Sequence, residues 1–396
     1  MSESEANESV NGRLLVFAFA SQIFAWTGAA LFLPIIPIYL RFLNATDVEI
    51  GHYSAIILVS LSFGPVALGW VSDRWHLRDR LVVGCLAIQV PVCWLMGTTD
   101  QLWVACFLNT LLWTFGASAI SLTRAIVALN FATDQRDRAF ARLAIASPAS
   151  FVIGGLAGGR IVEAWGYPGL FKTMTVFWML AMLAALGICD RHRVQAQDDT
   201  DIDTSSMGKP LLLFCAAMMF QSFSFQWSEI AFPLRLSDIG LSLTFITSMH
   251  SVSSLASIPI VLIAGRYAGR VGNVNLLFGG LVVFALCRLG LSLVEARTHV
   301  IGLQVVAGLP AAFSHSIASA VIAGLGPARS VGSRMSLLMM CGGVGGALGG
   351  VVGGYLLEAY GPAGLIAFSG IGFMFTGMYL KLFVVDPTRD SSTRAV

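Results

Sequence analysis

Charge is scarce in this sequence, because acidic and basic residues make up only 12% of its 396 residues and lysine occurs just three times. The motifs His-Glu-x-x-His, Gly-x-Ser-x-Gly and Gly-x-x-x-x-Gly-Lys are absent. Their absence excludes the corresponding zinc, serine-hydrolase and phosphate-binding sites, and with the last of these ATP-driven pumping by this chain alone. We therefore expect a protein that is not an enzyme and that holds no cofactor and no metal.

Cysteine is also rare, with seven residues that lie inside apolar stretches or at ends that we assign below to the cytoplasm. An oxidising compartment cannot pair them there, so we expect no disulfides. The N-terminal residues include Glu3, Glu5 and Glu8, whereas a cleaved signal peptide begins with basic residues. We expect no cleaved signal.

Apolar residues, by contrast, make up 56% of the chain, and the mean hydropathy is +0.77. Turn residues and charges divide the chain into twelve apolar stretches, each long enough to cross about 30 Å of hydrocarbon as a helix. We number them spans 1 to 12; they lie near 14–40, 50–71, 81–97, 103–128, 139–158, 169–189, 210–235, 242–264, 275–294, 300–323, 334–357 and 363–385. The pattern predicts an all-α membrane protein.

The longest polar segment is the stretch at 190–209, which carries Asp198, Asp199, Asp201 and Asp203 and whose polar composition cannot build a core. We interpret it as a flexible linker between two halves. The predicted division is a tail at 1–13, an N-terminal bundle at 14–189, the linker at 190–209, a C-terminal bundle at 210–385 and a tail at 386–396.

The placement of the basic residues indicates the orientation of the chain. With alternate loops on alternate sides, the tails and even-numbered loops hold 18 of the 24 Lys and Arg residues, and the opposite side holds five. This asymmetry places both termini in the cytoplasm. We expect a multi-pass protein of the plasma (inner) membrane.

The sequence also repeats itself. Residues 69–74 recur at 265–270 with a spacing of 196, and the glycine-rich residues 154–169 recur at 349–364 with a spacing of 195. Two matches with almost the same spacing indicate a duplicated membrane bundle. In such proteins the functional site lies between the two halves.

The loop at 69–80, with a glycine, an acid–arginine pair four residues later and further basic residues, resembles the signature loop of the major facilitator superfamily. The resemblance implies two pseudo-symmetric six-helix bundles. It also implies alternating access and a mid-membrane cavity lined mainly by spans 1, 4, 7 and 10.

We interpret this loop and its repeat as a conformational latch, since a carboxylate at a helix end can accept hydrogen bonds from arginines in one arrangement and release them in another. The alternative is that the arginines only enforce topology. The predicted latch residues are Gly69, Asp73, Arg74, Arg78, Gly265 and Arg270.

Spans 5 and 11 carry glycines at four-residue spacing, which form a bare stripe that admits a neighbouring backbone. The stripes predict either a sliding contact between the halves or ordinary tight packing, and both can hold.

Each ionisable group inside the membrane costs about 2.5 kcal/mol or more, so its presence indicates a structural or functional role. Glu229 in span 7 and His250 in span 8 are predicted to couple transport to protons, because a buried carboxylate can load and release a proton. Alternatively Glu229 belongs to a polar patch near Arg235, and His250 is a packing residue. Arg288 in span 9 is predicted to brace the C-terminal bundle.

Aromatic and amide groups on spans 1, 4, 7 and 10 suit a neutral or amphipathic ligand, although the tryptophans can equally be packing residues. The predicted binding residues are Gln22, Trp26, Thr27, Asn109, Trp113, Gln226, Trp227 and His315.

The sequence thus predicts a monomeric secondary active transporter that moves a small organic solute, with proton-coupled efflux as the first hypothesis. Its expected partners are the solute, protons and the lipid bilayer, and no nucleic acid. Residues 257–259 and 326–329 are loosely similar to the sugar-efflux branch of the superfamily. The alternatives are proton-coupled uptake of a sugar or an organic acid, and a membrane sensor that does not transport.

Overall fold

A computed structural model describes the backbone of residues 3–75, 77–131, 139–140, 142–190, 208–325 and 331–384. Within these ranges, the side chains are described except at residues 3–11, 258–271, 309–316, 319–320, 323–324, 331–333 and 336.

The described chain is helical throughout. In chain order the helices are α1 (Glu3–Phe32), α2 (Ile36–Phe42), α3 (Asp47–Trp75), α4 (Arg78–Met96), α5 (Leu102–Asn130), α6 (Ala146–Ala185), α7 (Lys209–Asp238), α8 (Leu243–Val271), α9 (Asn273–Leu293), α10 (Arg297–Gly324) and α11 (Val331–Phe383), with a 3₁₀ turn at Leu33–Ile35.

Within the described residues, eight helical segments are long and apolar enough to cross a membrane. A helix satisfies its own backbone hydrogen bonds, which is what hydrocarbon requires of a spanning segment. The prediction of an all-α, multi-pass integral membrane protein is confirmed at this level.

The two longest helices, α6 and α11, each contain one residue that is not helical. Gly166 and Gly361 both have a φ of 68°, and a proline follows each of them within two residues, at Pro168 and Pro362. A side chain strains the backbone at this φ, so glycine is the residue that fits. Each long helix is therefore two helices joined at a sharp break.

The chain forms two compact units. Unit 1 comprises Met1–Asn44, Ser60–Gln197 and Ser242–Ser251, and unit 2 comprises Ala45–Val59, Asp198–Leu241 and Val252–Val396. Helix α3 therefore starts in unit 2 and ends in unit 1, whereas α8 starts in unit 1 and continues in unit 2.

Each unit has an aromatic core. In unit 1, Phe32, Tyr39 and Phe171 meet with ring centroids 5.0 to 5.3 Å apart. In unit 2, Phe284 of α9 and Phe373 of α11 meet edge to face at 4.7 Å. Such edge-to-face pairs are favoured beyond the apolar area that they bury.

Candidate functional site

Two of the predicted binding residues on α1, Gln22 and Trp26, have an amide or a ring that could contact a solute. Gln22 is 3% exposed, and its amide Nε2 has no hydrogen-bond partner among the described residues. Trp26, one turn further, is half-buried with its ring centroid 6.1 Å from that of Phe151 on α6. A buried amide is costly until water or a ligand completes its hydrogen bonds, so Gln22 has a donor to offer.

Thr27, the third predicted residue on α1, takes part in helix packing. Its hydroxyl oxygen lies 2.7 Å from the Ile23 carbonyl oxygen and 3.1 Å from Ser150 Oγ on α6. Ser150 in turn donates to the same carbonyl at 2.9 Å. These bonds tie α1 to α6 and engage the Thr27 hydroxyl.

The predicted residues on α5 share one face of the helix, because they are four positions apart. Asn109 is 3% exposed. Trp113 is half-buried, and its indole Nε1 has no hydrogen-bond partner among the described residues. Trp113 is therefore a second unused donor in unit 1.

On α7, Gln226 is half-buried, and Trp227 is engaged with its neighbours. The Trp227 indole N–H donates to the Gly349 carbonyl of α11 at 2.9 Å, and its ring lies 4.7 Å from that of Phe223. The side chain of His315 lies outside the described residues. The residues on α1 and α5 belong to unit 1 and those on α7 to unit 2, and that they line one site stays a prediction.

Two ionisable residues of unit 2 lie inside predicted spans. Glu229 is half-buried on α7, and Arg288 lies on α9. Arg288 is 4% exposed, and its Cζ lies 4.4 Å from the ring centroid of Phe284 and 5.3 Å from that of Phe232. The sequence predicted a brace at Arg288, and the structure places its guanidinium over the rings of Phe284 and Phe232. His250 is half-buried in unit 1, and its sharing of a proton with Glu229 stays a prediction.

The loop after α3 contains the carboxylate–arginine contact that the latch hypothesis requires. Arg78 Nη2 donates to Asp73 Oδ1 at 2.7 Å, and Arg78 Nη1 lies 3.6 Å from Asp190 Oδ2. Asn130 at the end of α5 donates to Asp190 Oδ1 at 3.2 Å. The network joins the ends of α3, α4, α5 and α6.

Sequence reasoning missed Asp190 and Asn130, because it treated Asp190 only as the first residue of the linker. The topology assignment held the signal, since the ends of spans 2, 4 and 6 were all placed on one side. Among the other latch residues, Arg74 is exposed, and a Cβ at Gly69 would have nothing within 4 Å. The side chains of Gly265 and Arg270 lie outside the described residues.

The glycines of α6 form two rows. Gly154 and Gly158 face α1, and Gly155 and Gly159 face the first turns of α8. A Cβ at any of the four would clash with the backbone of the facing helix. The Gly159 N–H also donates to Thr247 Oγ1 at 3.2 Å.

The glycines of α11 repeat this arrangement. One row faces α7 and consists of Gly345, Gly349 and Gly353. The other row faces α3 and consists of Gly346, Gly350 and Gly354. A Cβ would meet the facing backbone at four of the six positions and a side chain at Gly346 and Gly353. Both stripes therefore admit a neighbouring helix as the sequence predicted, and the sliding contact stays a prediction.

Comparison with known proteins gives a family and a fold. The profile of the MFS_1 like family matches residues 16–368. Multidrug resistance protein MdtG of Escherichia fergusonii is 23% identical over 290 residues, which cover 70% of this chain and 64% of that relative, slightly less than two thirds. Sugar efflux transporter A of Dickeya chrysanthemi is 24% identical over 328 residues, 79% of this chain and 78% of that protein.

Two solved structures share the fold. The nucleoside transporter NupG matches with a TM-score of 0.77 at 16% identity, covering 94% of this chain and 99% of its own. The POT family transporter PepTSo matches with a TM-score of 0.77 at 12% identity, covering 96% and 99%.

Proposed function

This chain belongs to the MFS_1 like family and is a transporter of the major facilitator superfamily, and we propose that it is a secondary active transporter that exports a small organic solute by alternating access, driven by protons. Members of this superfamily are not enzymes. The observation that carries the proposal is the profile match over residues 16–368.

Export is supported by the names of the relatives. They include multidrug resistance proteins and sugar efflux transporter A, together with the agnestins efflux protein of Paecilomyces divaricatus.

The proposed architecture has twelve spans in two pseudo-symmetric bundles, at 14–189 and 210–385. The breaks at Gly166 and Gly361 support it, because each divides one long helix into two spans. The paired glycine rows of α6 and α11, spaced by 195 residues, support the pseudo-symmetry. We further propose a monomer in the inner membrane with both termini in the cytoplasm, as the distribution of basic residues favours.

For solute binding we propose the unused donors of Gln22 and Trp113 in unit 1, with Trp26 and Asn109 on the same two helices. In unit 2 we propose Gln226. The polar groups of Thr27 and Trp227 are engaged in helix packing within their own units. For the latch we propose Asp73 with Arg78, and Asp190 as an additional partner.

For proton coupling we propose Glu229, assisted by His250. If protons drive transport, a group must change its protonation as the protein alternates, and a half-buried carboxylate inside the membrane is suited to this. Two alternatives remain open to the same experiments: proton-coupled uptake of a sugar or an organic acid, and a sensor that binds without transport.

The test uses proteoliposomes loaded with a pH-sensitive dye, to which ethidium, lactose or citrate is added in turn. Solute-dependent proton movement with any of them supports the proposal. We expect Glu229→Gln to abolish accumulation against a gradient while downhill flux persists, because binding geometry survives and the titrating proton does not. Accumulation by Glu229→Gln under a pH gradient would contradict the role of Glu229. Binding without flux would indicate the sensor.

A further inference from the structure

Helices α7 and α11 of unit 2 lie in direct contact along the glycine row of α11 that faces α7. For a Cβ at Gly345, Gly349 and Gly353, the nearest atoms belong in turn to Met219, Phe223 and Trp227. Each facing pair is 126 positions apart in the chain, and both members advance by four from one pair to the next. The two helices are therefore parallel and keep one register along this contact.

The same register places two cysteines opposite each other, one turn before Gly345. Cys215 on α7 and Cys341 on α11 are also 126 positions apart. Both are free thiols. Cys341 packs against the apolar core cluster that contains Cys215, and a hydrogen bond joins the two thiols. The backbone register and the side-chain contact thus agree on the pairing.

The backbones approach closely enough at this point for a covalent bridge. A disulfide requires two Cα atoms roughly 4.4 to 6.8 Å apart, and small residues allow helices to come this near. A Cβ at Gly345 would clash with the Met219 carbonyl oxygen, one turn after the two cysteines. Bridging Cys215 and Cys341 therefore needs little movement of either helix.

We infer that Cys215 and Cys341 form a modification site, which hydrogen peroxide converts into a disulfide that fixes α7 to α11 and inhibits transport. Cys341 is half-buried and Cys215 is 4% exposed, so peroxide reaches Cys341 first. The Cys341 sulfur breaks the O–O bond and becomes a sulfenic acid, and one water leaves. The Cys215 sulfur then attacks the Cys341 sulfur, and the displaced hydroxyl leaves with the Cys215 proton as a second water. Two thiols are oxidised, and one peroxide is reduced to two waters.

The placement of the pair suits a reversible switch. The proposed topology puts Cys215 about 9 Å along α7 from its cytoplasmic start at Lys209. Cytoplasmic thiols are normally kept reduced, and disulfides that form there are usually transient. Helix α7 also carries Gln226 and Glu229, so a bond between α7 and α11 restrains the helix that holds both. This regulatory part of the inference rests on the proposed transport function.

The first experiment treats the purified wild-type protein with hydrogen peroxide, blocks the remaining thiols with N-ethylmaleimide and analyses an unreduced digest by mass spectrometry. We expect a cross-linked peptide pair that contains Cys215 and Cys341 and that disappears after treatment with a phosphine reductant. The control is Cys287→Ser, which removes a 3% exposed cysteine of the same core and should keep the cross-link. A wild-type protein without this cross-link, or with either cysteine bridged to a different one, overturns the inference.

The second experiment measures solute-dependent proton movement in proteoliposomes, with whichever of ethidium, lactose and citrate the wild type moves. Peroxide should lower the wild-type rate in proportion to the cross-linked fraction, and the reductant should restore it. Cys341→Ser cannot form the bond and should keep its rate, whereas Cys287→Ser should be inhibited like the wild type. If peroxide leaves the cross-linked wild type fully active, or inhibits Cys341→Ser equally, the regulatory role is overturned.

The two experiments keep this inference separate from the proposed function. The cross-link forms without transport, so it tests the pair even if Glu229→Gln still concentrates solute and the coupling role of Glu229 fails. Conversely, a wild-type protein that couples solute to protons but forms no cross-link retains the proposed function and loses only the modification site.

Discussion

The start of α3 and the start of α8 both pack against a glycine row, but they are held by different interactions. Helix α3 caps itself: the Thr46 N–H donates to Glu49 Oε2 at 2.8 Å, and the Glu49 N–H donates to Thr46 Oγ1 at 3.2 Å. This is a capping box within one short stretch of sequence. Its contact with Gly350 and Gly354 of α11 is close backbone packing.

The start of α8 takes its cap from another helix. Ser242 accepts the Phe245 N–H at 3.3 Å, but the position that would hold the acid of a capping box is phenylalanine. Glu163 of α6 supplies an acid from another helix, and it accepts the Thr244 N–H at 2.9 Å and the Thr244 hydroxyl at 2.6 Å. Ser251 Oγ lies 3.0 Å from the Val152 carbonyl oxygen and 3.2 Å from that of Phe151.

The comparison shows that a duplicated geometry does not require duplicated chemistry. Separating α8 from α6 breaks several hydrogen bonds, each worth about 0.5 to 1.5 kcal/mol net. The start of α3 meets α11 through close backbone packing and through the rings of His52 and Tyr355, whose centroids are 5.7 Å apart. Van der Waals contact of this kind depends steeply on distance.

Both contacts should be sensitive to added volume, since a Cβ would lie 2.3 Å from the Leu243 carbonyl oxygen at Gly159 and 2.8 Å from the Ala55 backbone nitrogen at Gly350. The α8 contact should in addition be the more sensitive to lost polar groups.

The largest effect is expected from added volume between α3 and α11. A Cβ at Gly350 would lie 2.8 Å from the Ala55 backbone nitrogen, whereas at Gly346 the nearest atom is Leu58 Cδ1 at 2.7 Å, the movable end of a side chain. Gly350→Ala should cost roughly 1 to 3 kcal/mol of stability, and Gly346→Ala less. Thermal unfolding and yield of folded protein measure both.

The matched control is Gly84→Ala on α4, where a Cβ would meet nothing within 4 Å. It should be neutral or slightly stabilising, because alanine favours the helix. Equal tolerance at all three positions would refute the packing argument.

A smaller effect is expected from removing the two caps. Glu163→Ala should speed amide hydrogen exchange in the first turn of α8 on the order of fivefold, the usual effect of a lost cap. Glu49→Ala should do the same for α3 only. Glu358→Ala, at the position that corresponds to Glu163 in the repeat, is the control. If Glu163→Ala leaves exchange in α8 unchanged, the cap from α6 contributes nothing.

The smallest effect on stability concerns the other end of α3. Asp73→Asn keeps an oxygen that accepts from Arg78 but removes the charge, so the unfolding midpoint should hardly change while transport slows several-fold. Asp79→Asn, a neighbouring acid whose carboxylate accepts the Arg80 N–H, is the control. Wild-type transport rates in a reconstituted Asp73→Asn protein would leave the latch hypothesis without support.

The sequence predicted several helices closely but did not predict the contacts between helices. Turn residues and charges predicted spans near 50–71, 81–97 and 103–128, close to the helices α3 at 47–75, α4 at 78–96 and α5 at 102–130. Hydrophobic length fixes such elements locally. The contact between Glu163 and Thr244 joins residues 81 positions apart, and no local pattern encodes it.

For the candidate site as well, the sequence predicted the residue types but not their contacts. The composition of spans 1, 4 and 7 suggested amides and tryptophans, but only the packing separates Gln22, with an unused donor, from Trp227, whose N–H is engaged. Likewise, the sequence predicted a brace at Arg288, but only the structure identifies the rings of Phe284 and Phe232 as what its guanidinium packs against. Pairings across helices depend on tertiary structure, which periodicity does not report.

The two kinds of cap also match the order in which the chain is made. Synthesis proceeds from the N-terminus, so when Thr244 leaves the ribosome, Glu163 has already been made. The start of α3 must wait for α11, which comes near the end of the chain, and its capping box at Thr46 and Glu49 stabilises that helix end during the interval. Biosynthetic timing thus gives α3 a reason to carry its own cap, and lets α8 rely on a helix that was inserted before it.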